Sequence, residues 1–145
     1  MIALNNWTQV KINDMHIYIA DRPKLAGQGL CGVQEKDFNE NKAIYFLYIK
    51  SEWGDFDNDN HDLGYVNFDI NIAYLNQRGE VIKIDFMEAR TGVSTVPTSA
   101  VQAIEAKPEF FIRNNFELNK KSPVYIKFLE HRARNSQDCY FNICT

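Results

Sequence analysis

Apolar residues recur at every second position from Val66 through Phe68, Ile70 and Ile72 to Tyr74, with Asn67, Asp69 and Asn71 between them. A period of two predicts a β-strand over Tyr65–Asn76 with one face in a core and the other polar. Asn76-Gln77-Arg78-Gly79 then supplies a turn with its glycine late, and Glu80–Phe86 resumes the alternation with Ile82, Ile84 and Phe86 inward. The two runs are expected to form a β-hairpin with a four-residue loop. Ala43–Ile49 is a continuous apolar run of strand length, rich in aromatic residues, and reads as a buried strand. Met15–Ala20, Val101–Ala106 and Val124–Leu129 complete the predicted strands.

Proline and glycine punctuate this pattern. Asp21-Arg22-Pro23 opens a short helical turn that Gly27 and Gly29 end, and Pro108–Asn115 is a second short helix, each with proline where a helix tolerates it, in the first turn. No internal repeat, low-complexity segment or linker interrupts the chain. Several strands and two short helices predict a small α+β fold on a curled, mostly antiparallel sheet. Residues 1–129 form one domain on this reading, and residues 130–145, with few periodic apolar positions, form an irregular tail or docking arm.

Four segments in order, IYIADRPKLAGQGLCG (Ile17–Gly32), AIYFLYI (Ala43–Ile49), INIAYLNQRGEVIKI (Ile70–Ile84) and VQAIEAKPEFFIRNNF (Val101–Phe116), resemble domain-of-unknown-function family 192. The resemblance covers roughly residues 15–128 and implies a partly open β-barrel. Gly29, Leu30 and Gly32 match the family's R-G-L-M-G motif, with Gln28 in place of Arg and Cys31 in place of Met. Asp62–Asn67 stands where the family has its F-W-M-K-N-T block but lacks the Trp and the Lys-Asn pair, and Asn71 stands for the aspartate of its P-L-D-I-A-F-L-D strand. Glu105 aligns with the glutamate of its V-L-E-L strand. The apolar pattern is kept while the polar residues are eroded. If the family's polar cleft binds a ligand, the resemblance leaves Asn71 and Glu105 to do so, with Asn67 and Asp69 in the same polar row and Tyr65 available to stack.

The 145 residues suffice for one domain with a core of its own. A net charge of −3 with dispersed basic residues gives no nucleic-acid footprint. No apolar run reads as a signal peptide or a membrane span. The cysteines, Cys31, Cys139 and Cys144, are odd in number and show no framework spacing. They read as free thiols in a reducing compartment, so the expected location is the cytoplasm, or a virion if the chain is phage-encoded.

Candidate chemistry is sparse. Gly27-Gln28-Gly29-Leu30-Cys31-Gly32 spells the dinucleotide fingerprint G-x-G-x-x-G, yet no helical apolar pattern follows and no second βαβ unit exists, so the glycines read as a helix stop and a close backbone approach. Asp55, Asp57 and Asp59 occupy the first, third and fifth positions of an EF-hand-like loop, but the sixth is Asn60 and the twelfth Val66, leaving at most a weak calcium site beside the simpler reading of a solvated acidic loop. Trp53 and Phe56 in that loop must either fold back on the core or meet a partner. His16, His61 and His131 lie far apart, and Cys139 and Cys144 with His131 depart from zinc spacings. No nucleophile-elbow serine is present, and Cys31 has no identifiable base, so it reads as a small buried thiol.

These features favour a non-catalytic structural or interaction protein on the family scaffold, without cofactor or assigned metal. A protein partner or larger assembly is expected, such as a phage accessory or virion protein, and no nucleic acid or membrane. The alternative is a module binding a sugar or nucleotide fragment at Tyr65, Asn67, Asp69, Asn71 and Glu105. A hydrolase using Glu105 or Asp69 as general base ranks last, since no nucleophile is positioned beside either.

Overall fold

The computed structural model describes residue 4 and residues 6–60 and 63–142. Along the chain run β1 (Thr8–Ile12), β2 (Met15–Ala20), α1 (Pro23–Gln28), β3 (Lys42–Phe46), β4 (Asp55–Asp57), β5 (Asp59–Asn60) and β6 (Gly64–Tyr65). Then come β7 (Ile70–Leu75), β8 (Val81–Met87), β9 (Val93–Thr95), β10 (Gln102–Ala106), α2 (Pro108–Arg113) and α3 (Pro123–Asn142). Six strands form one sheet in the order β1-β2-β3-β10-β7-β8. Among the described strands of this sheet only β2 and β3 pair in parallel; the other pairings are antiparallel. β4 with β9, and β5 with β6, make two small ribbons. The fold is a small α+β one, and its sheet stays open, with β1 and β8 as edges.

Parallel neighbours cannot be joined by a tight turn. The β2–β3 connection therefore spans residues 21–41 and carries α1 and the glycine-rich turn over one face of the sheet. That face buries Tyr18, Phe46, Ile70, Ile72, Tyr74 and Phe38 in one cluster, while Ile17, Ile19, Tyr45, Ala73, Leu75 and Phe110 fill a second on the other face. Burial on both faces explains why Ala43–Phe46 is apolar without alternation.

The hairpin is present, with Asn76 organising its turn: Asn76 Oδ1 accepts from the N–H groups of Arg78 (2.9 Å) and Glu80 (3.0 Å). Its inward set differs from the expected one. Pairing shifts register between Tyr74 and Leu75, so Leu75 faces Val81 and Ala73 faces Ile84. The irregularity flips parity along β8. Phe86 is 59% exposed, whereas Val81 and Met87 are buried.

The expected strand over Val124–Leu129 is instead the start of α3, which continues to Asn142, so residues 130–142 are helical rather than irregular. Ser122 caps this helix: its Oγ accepts from the N–H groups of Val124 (3.1 Å) and Tyr125 (3.3 Å), ahead of Pro123 in the first turn. Val124, Tyr125 and Phe128 lie on one helical face and pack on the second core cluster. There are thus three helices among the described residues, not two. Strand β1, with alternating burial, was not anticipated.

Gly79 joins the hairpin to α3. It has φ +76°, and a Cβ there would run into the Tyr125 ring. Gly79→Ala is expected to cost at least about 2 kcal/mol in urea denaturation, combining a left-handed backbone with overpacking. Gln77→Ala, exposed in the same turn, should stay within about 0.5 kcal/mol.

Candidate functional site

Glycine ends α1 for a conformational reason. Gly29 adopts φ 52° and ψ −132°, a combination that residues with a Cβ avoid, and its N–H donates to Leu25 O at 3.0 Å. The turn then tightens through Cys31 N–H to Gln28 O (3.1 Å) and is tied to β6 by Gly32 N–H to Tyr65 O (3.0 Å). A Cβ at position 29 would lie 3.1 Å from Glu105 Oε1 and 3.6 Å from the Phe46 ring. The glycine therefore lets the turn close over a carboxyl group that rises from the middle of the sheet.

Between this turn and residues 53–60 lies a cavity of about 520 Å³. Leu30, Phe56, Val66 and Val96 supply apolar wall, and Glu105 and Asn58 supply polar atoms. Glu105 is 4% exposed. Burial alone pushes its carboxyl up to about 8, with no hydrogen bond or neighbouring charge contributing. Asn58 is 1% exposed, and its Nδ2 donates to Met87 O (3.3 Å) and Glu88 O (2.8 Å). Those two bonds fix the amide orientation and leave Asn58 Oδ1 without a protein donor. Gln28 Nε2, on the same wall, also lacks a protein partner.

The electrostatics are one-sided. Among the described residues the cavity wall holds Asp55, Asp57, Asp59 and Glu105 and no basic side chain. Cys31 registers this: burial, then Glu105, Asp57 and Asp59, push its thiol up to about 11. It stays protonated at neutral pH and is no nucleophile.

The expected cleft does not assemble. Asn71 pairs with Ala106 across β7 and β10, while Glu105 pairs with Ile72, so the two side chains point to opposite faces of the sheet. Asn67 and Asp69 border a shallow depression with Glu35 and Lys107, and Asp69 Oδ1 accepts from Ala89 N–H at 2.8 Å. The Tyr65 ring lies under the Arg90 guanidinium, 4.2 Å from centroid to carbon. Of the five candidates only Glu105 lines the cavity.

The two loop aromatics diverge. Phe56 folds back, edge-on to Phe46 (5.2 Å) and Tyr74 (6.1 Å). Trp53 is 47% exposed at the cavity margin, edge-on to Tyr48 (6.2 Å). Asp55 and Asp57 lie in β4 and Asp59 in β5, extended and paired with β9 and β6 rather than wrapped as a calcium loop. Among the described residues no three His, Cys, Asp or Glu side chains could together hold a metal ion. His61 and Cys144 lie outside the described residues, as does the side chain of Cys139. Asn58 and Gln28 escaped the sequence reading, because nothing local marks an amide as buried and unpaired.

No family model matches the chain, and no curated protein matches it. Among solved structures it is similar to a protein of unknown function from Novosphingobium aromaticivorans DSM 12444. Identity is 12%, the TM-score is 0.55, and the match covers 78% of this chain and 80% of that one. At that identity the likeness shows the fold alone. No described helix is long and apolar enough to cross a membrane.

The Glu105 carboxyl has a pH signature. Its folded value, about 8, lies above its ordinary 4.5. The folded state therefore holds this proton more tightly than the unfolded chain does, and its stability falls as pH rises between those values. Glu105→Gln is expected to remove that slope. Its unfolding free energy relative to wild type should rise by a few kcal/mol across the window, on the order of 1.4 kcal/mol per pH unit. Urea denaturation at several pH values checks this.

Proposed function

We propose that this chain is a small-ligand-binding module whose site is the cavity between the glycine-rich turn and residues 53–60, on a scaffold of the family-192 type. One observation carries the reading: a carboxyl group 4% exposed, with no protein hydrogen bond, opens onto a cavity of about 520 Å³. Burying a carboxyl without a partner is costly, and a core that needed only volume would hold an apolar residue there. A concave, mostly apolar site with a few convergent polar atoms is the usual form of a small-molecule pocket. The wall disfavours part of the sequence expectation, since a nucleotide fragment would bring phosphate toward Asp55, Asp57, Asp59 and Glu105. Catalysis has less support. Cys31 holds its proton, and Asp69 sits outside the cavity with an N–H already bonded.

A second reading, the protein-contact role expected from the sequence, draws on Trp53 and Tyr48, which are 47% and 60% exposed side by side. Size fractionation of the native source tests it. A free monomer there would argue for the cavity alone.

The principal test is a ligand screen by thermal shift against wild type and Ala26→Phe, a change that fills the cavity from α1. A ligand at 100 times its dissociation constant should add about 2.7 kcal/mol to the wild type and nothing to the variant. If no metabolite class shifts the wild type, the binding reading fails.

A further inference from the structure

We infer that the cavity takes a small organic cation whose N–H donors, an ammonium or guanidinium head, meet the Glu105 carboxylate and Asn58 Oδ1. The inference rests on the proposed binding site and adds the chemical class of its occupant. Asn58 Oδ1 is an acceptor without a protein donor, held in place because its amide nitrogen is engaged by two carbonyls, and the buried Glu105 carboxyl becomes a second acceptor, at both oxygens, once ionised. An anion offers no donor to the Asn58 oxygen or to the ionised carboxylate. An ammonium or guanidinium presents several donors from one small group, and its bonds to carboxylate are the strong, charge-assisted kind.

The walls agree with this assignment. Among the described residues the cavity is lined by carboxyl groups, Glu105 with Asp55 and Asp57 among them, and by no basic side chain. Among the described residues the aspartates do not gather in the three that would grip a metal ion. They lower the local potential and favour entry of positive charge. Trp53 and Phe56 add ring faces and edges near the path, and ring faces attract organic cations. Gln28 Nε2 leaves its two N–H donors for a hydroxyl or carbonyl elsewhere on the ligand.

Cation binding requires the ionised carboxylate, whereas the free protein holds a proton on Glu105 up to about pH 8. Among the described residues the titratable groups about Glu105 are the Cys31 thiol, the Tyr74 hydroxyl on β7, and the Asp55, Asp57 and Asp59 side chains elsewhere on the cavity wall. None is a cation. The Cys31 thiol titrates near 11, and burial also raises Tyr74. Binding a cation therefore expels the Glu105 proton, and apparent affinity should climb as pH rises toward 8 and level off above it.

The experiment titrates benzylguanidinium and butylguanidinium into the full chain between about pH 6 and about pH 9, with benzyl alcohol and benzoate as neutral and anionic analogues. Calorimetry reads affinity and protons released, and amide NMR locates the site. The expected result is guanidinium binding that perturbs Gln28–Cys31 and Phe56–Asn58. Affinity should rise about tenfold per pH unit below the Glu105 titration, with close to one proton released per ligand at the acid end. Benzoate should not bind. Glu105→Gln, checked as folded by its NMR spectrum, should lose at least about tenfold in affinity and all of the pH slope, a factor typical of a charge-assisted bond. Benzyl alcohol binding as tightly as the cations, or cation binding without the slope, would overturn the cation assignment and leave the cavity as a neutral-ligand site. No perturbation of those amides by any of the four compounds would overturn the cation assignment, and a negative metabolite screen beside it would remove the binding site as well.

Discussion

A strand paired along both edges and covered on both faces has no water within reach. Strand β10 is in that position, bonded to β3 and β7, with core clusters above and below the sheet. Every side chain it carries must find its partners inside the protein, and Ala103, Ile104 and Ala106 do so by packing. Glu105 does not. The rest of the site is arranged around this one exception: a glycine where any side chain would press on the carboxyl, an apolar wall, and a loop that stands off far enough to leave space. The desolvation of a single carboxyl group gives the site both its chemistry and its dependence on pH.

The loop that closes the cavity is held from below. Asn58 is buried and anchored to the carbonyls of Met87 and Glu88, and Asn58 N–H donates to Gly92 O at 2.8 Å. Phe56 packs its edge on two core rings. Under the adjoining β9, Ser94 Oγ donates to Asp85 Oδ2 (2.6 Å) and sits 2.7 Å from the Tyr74 hydroxyl, so a satisfied polar network backs the wall. Such second-layer support keeps a pocket's dimensions fixed. The acidic loop is structured on its inner side and acidic toward the cavity.

Much of the scaffold was legible in the chain because periodicity reports burial. The alternation through Val66, Phe68, Ile70, Ile72 and Tyr74 describes residues that are all buried, and Asn76 with Gly79 marks a turn that exists. The failures have local physical causes. A register shift split the inward set of β8, so Ile82 packs on the first cluster, Ile84 on the second, and Phe86 lies outside. The apolar start of α3 mimics a strand, and only Ser122-Pro123 ahead of it betrays the helix cap. The candidate cleft failed at a single step of parity. Asn71 and Glu105 both looked polar among apolar neighbours, but antiparallel pairing sets Glu105 opposite Ile72 and sends Asn71 to the other side. Pairing partners cannot be read from one strand at a time, and neither can the approach of a glycine turn to a carboxyl group more than seventy positions later.

The order of the strands in the sheet has a consequence for the newborn chain. Strand β3 is made early but finds its second neighbour only in β10, whose register pairs Phe46 with Ala103. On the other side, β7 and β8 can close their hairpin at once yet wait for the same strand. During synthesis the two halves are therefore separate pieces with bare apolar edges, and the segment from Gln102 to Ala106 fastens them together. Long-range closure of this kind slows folding and leaves strand edges open to the wrong partner while it is pending. The site shares that timing, because Glu105 arrives on the fastening strand itself: a molecule that has acquired its carboxyl in place has also finished its sheet.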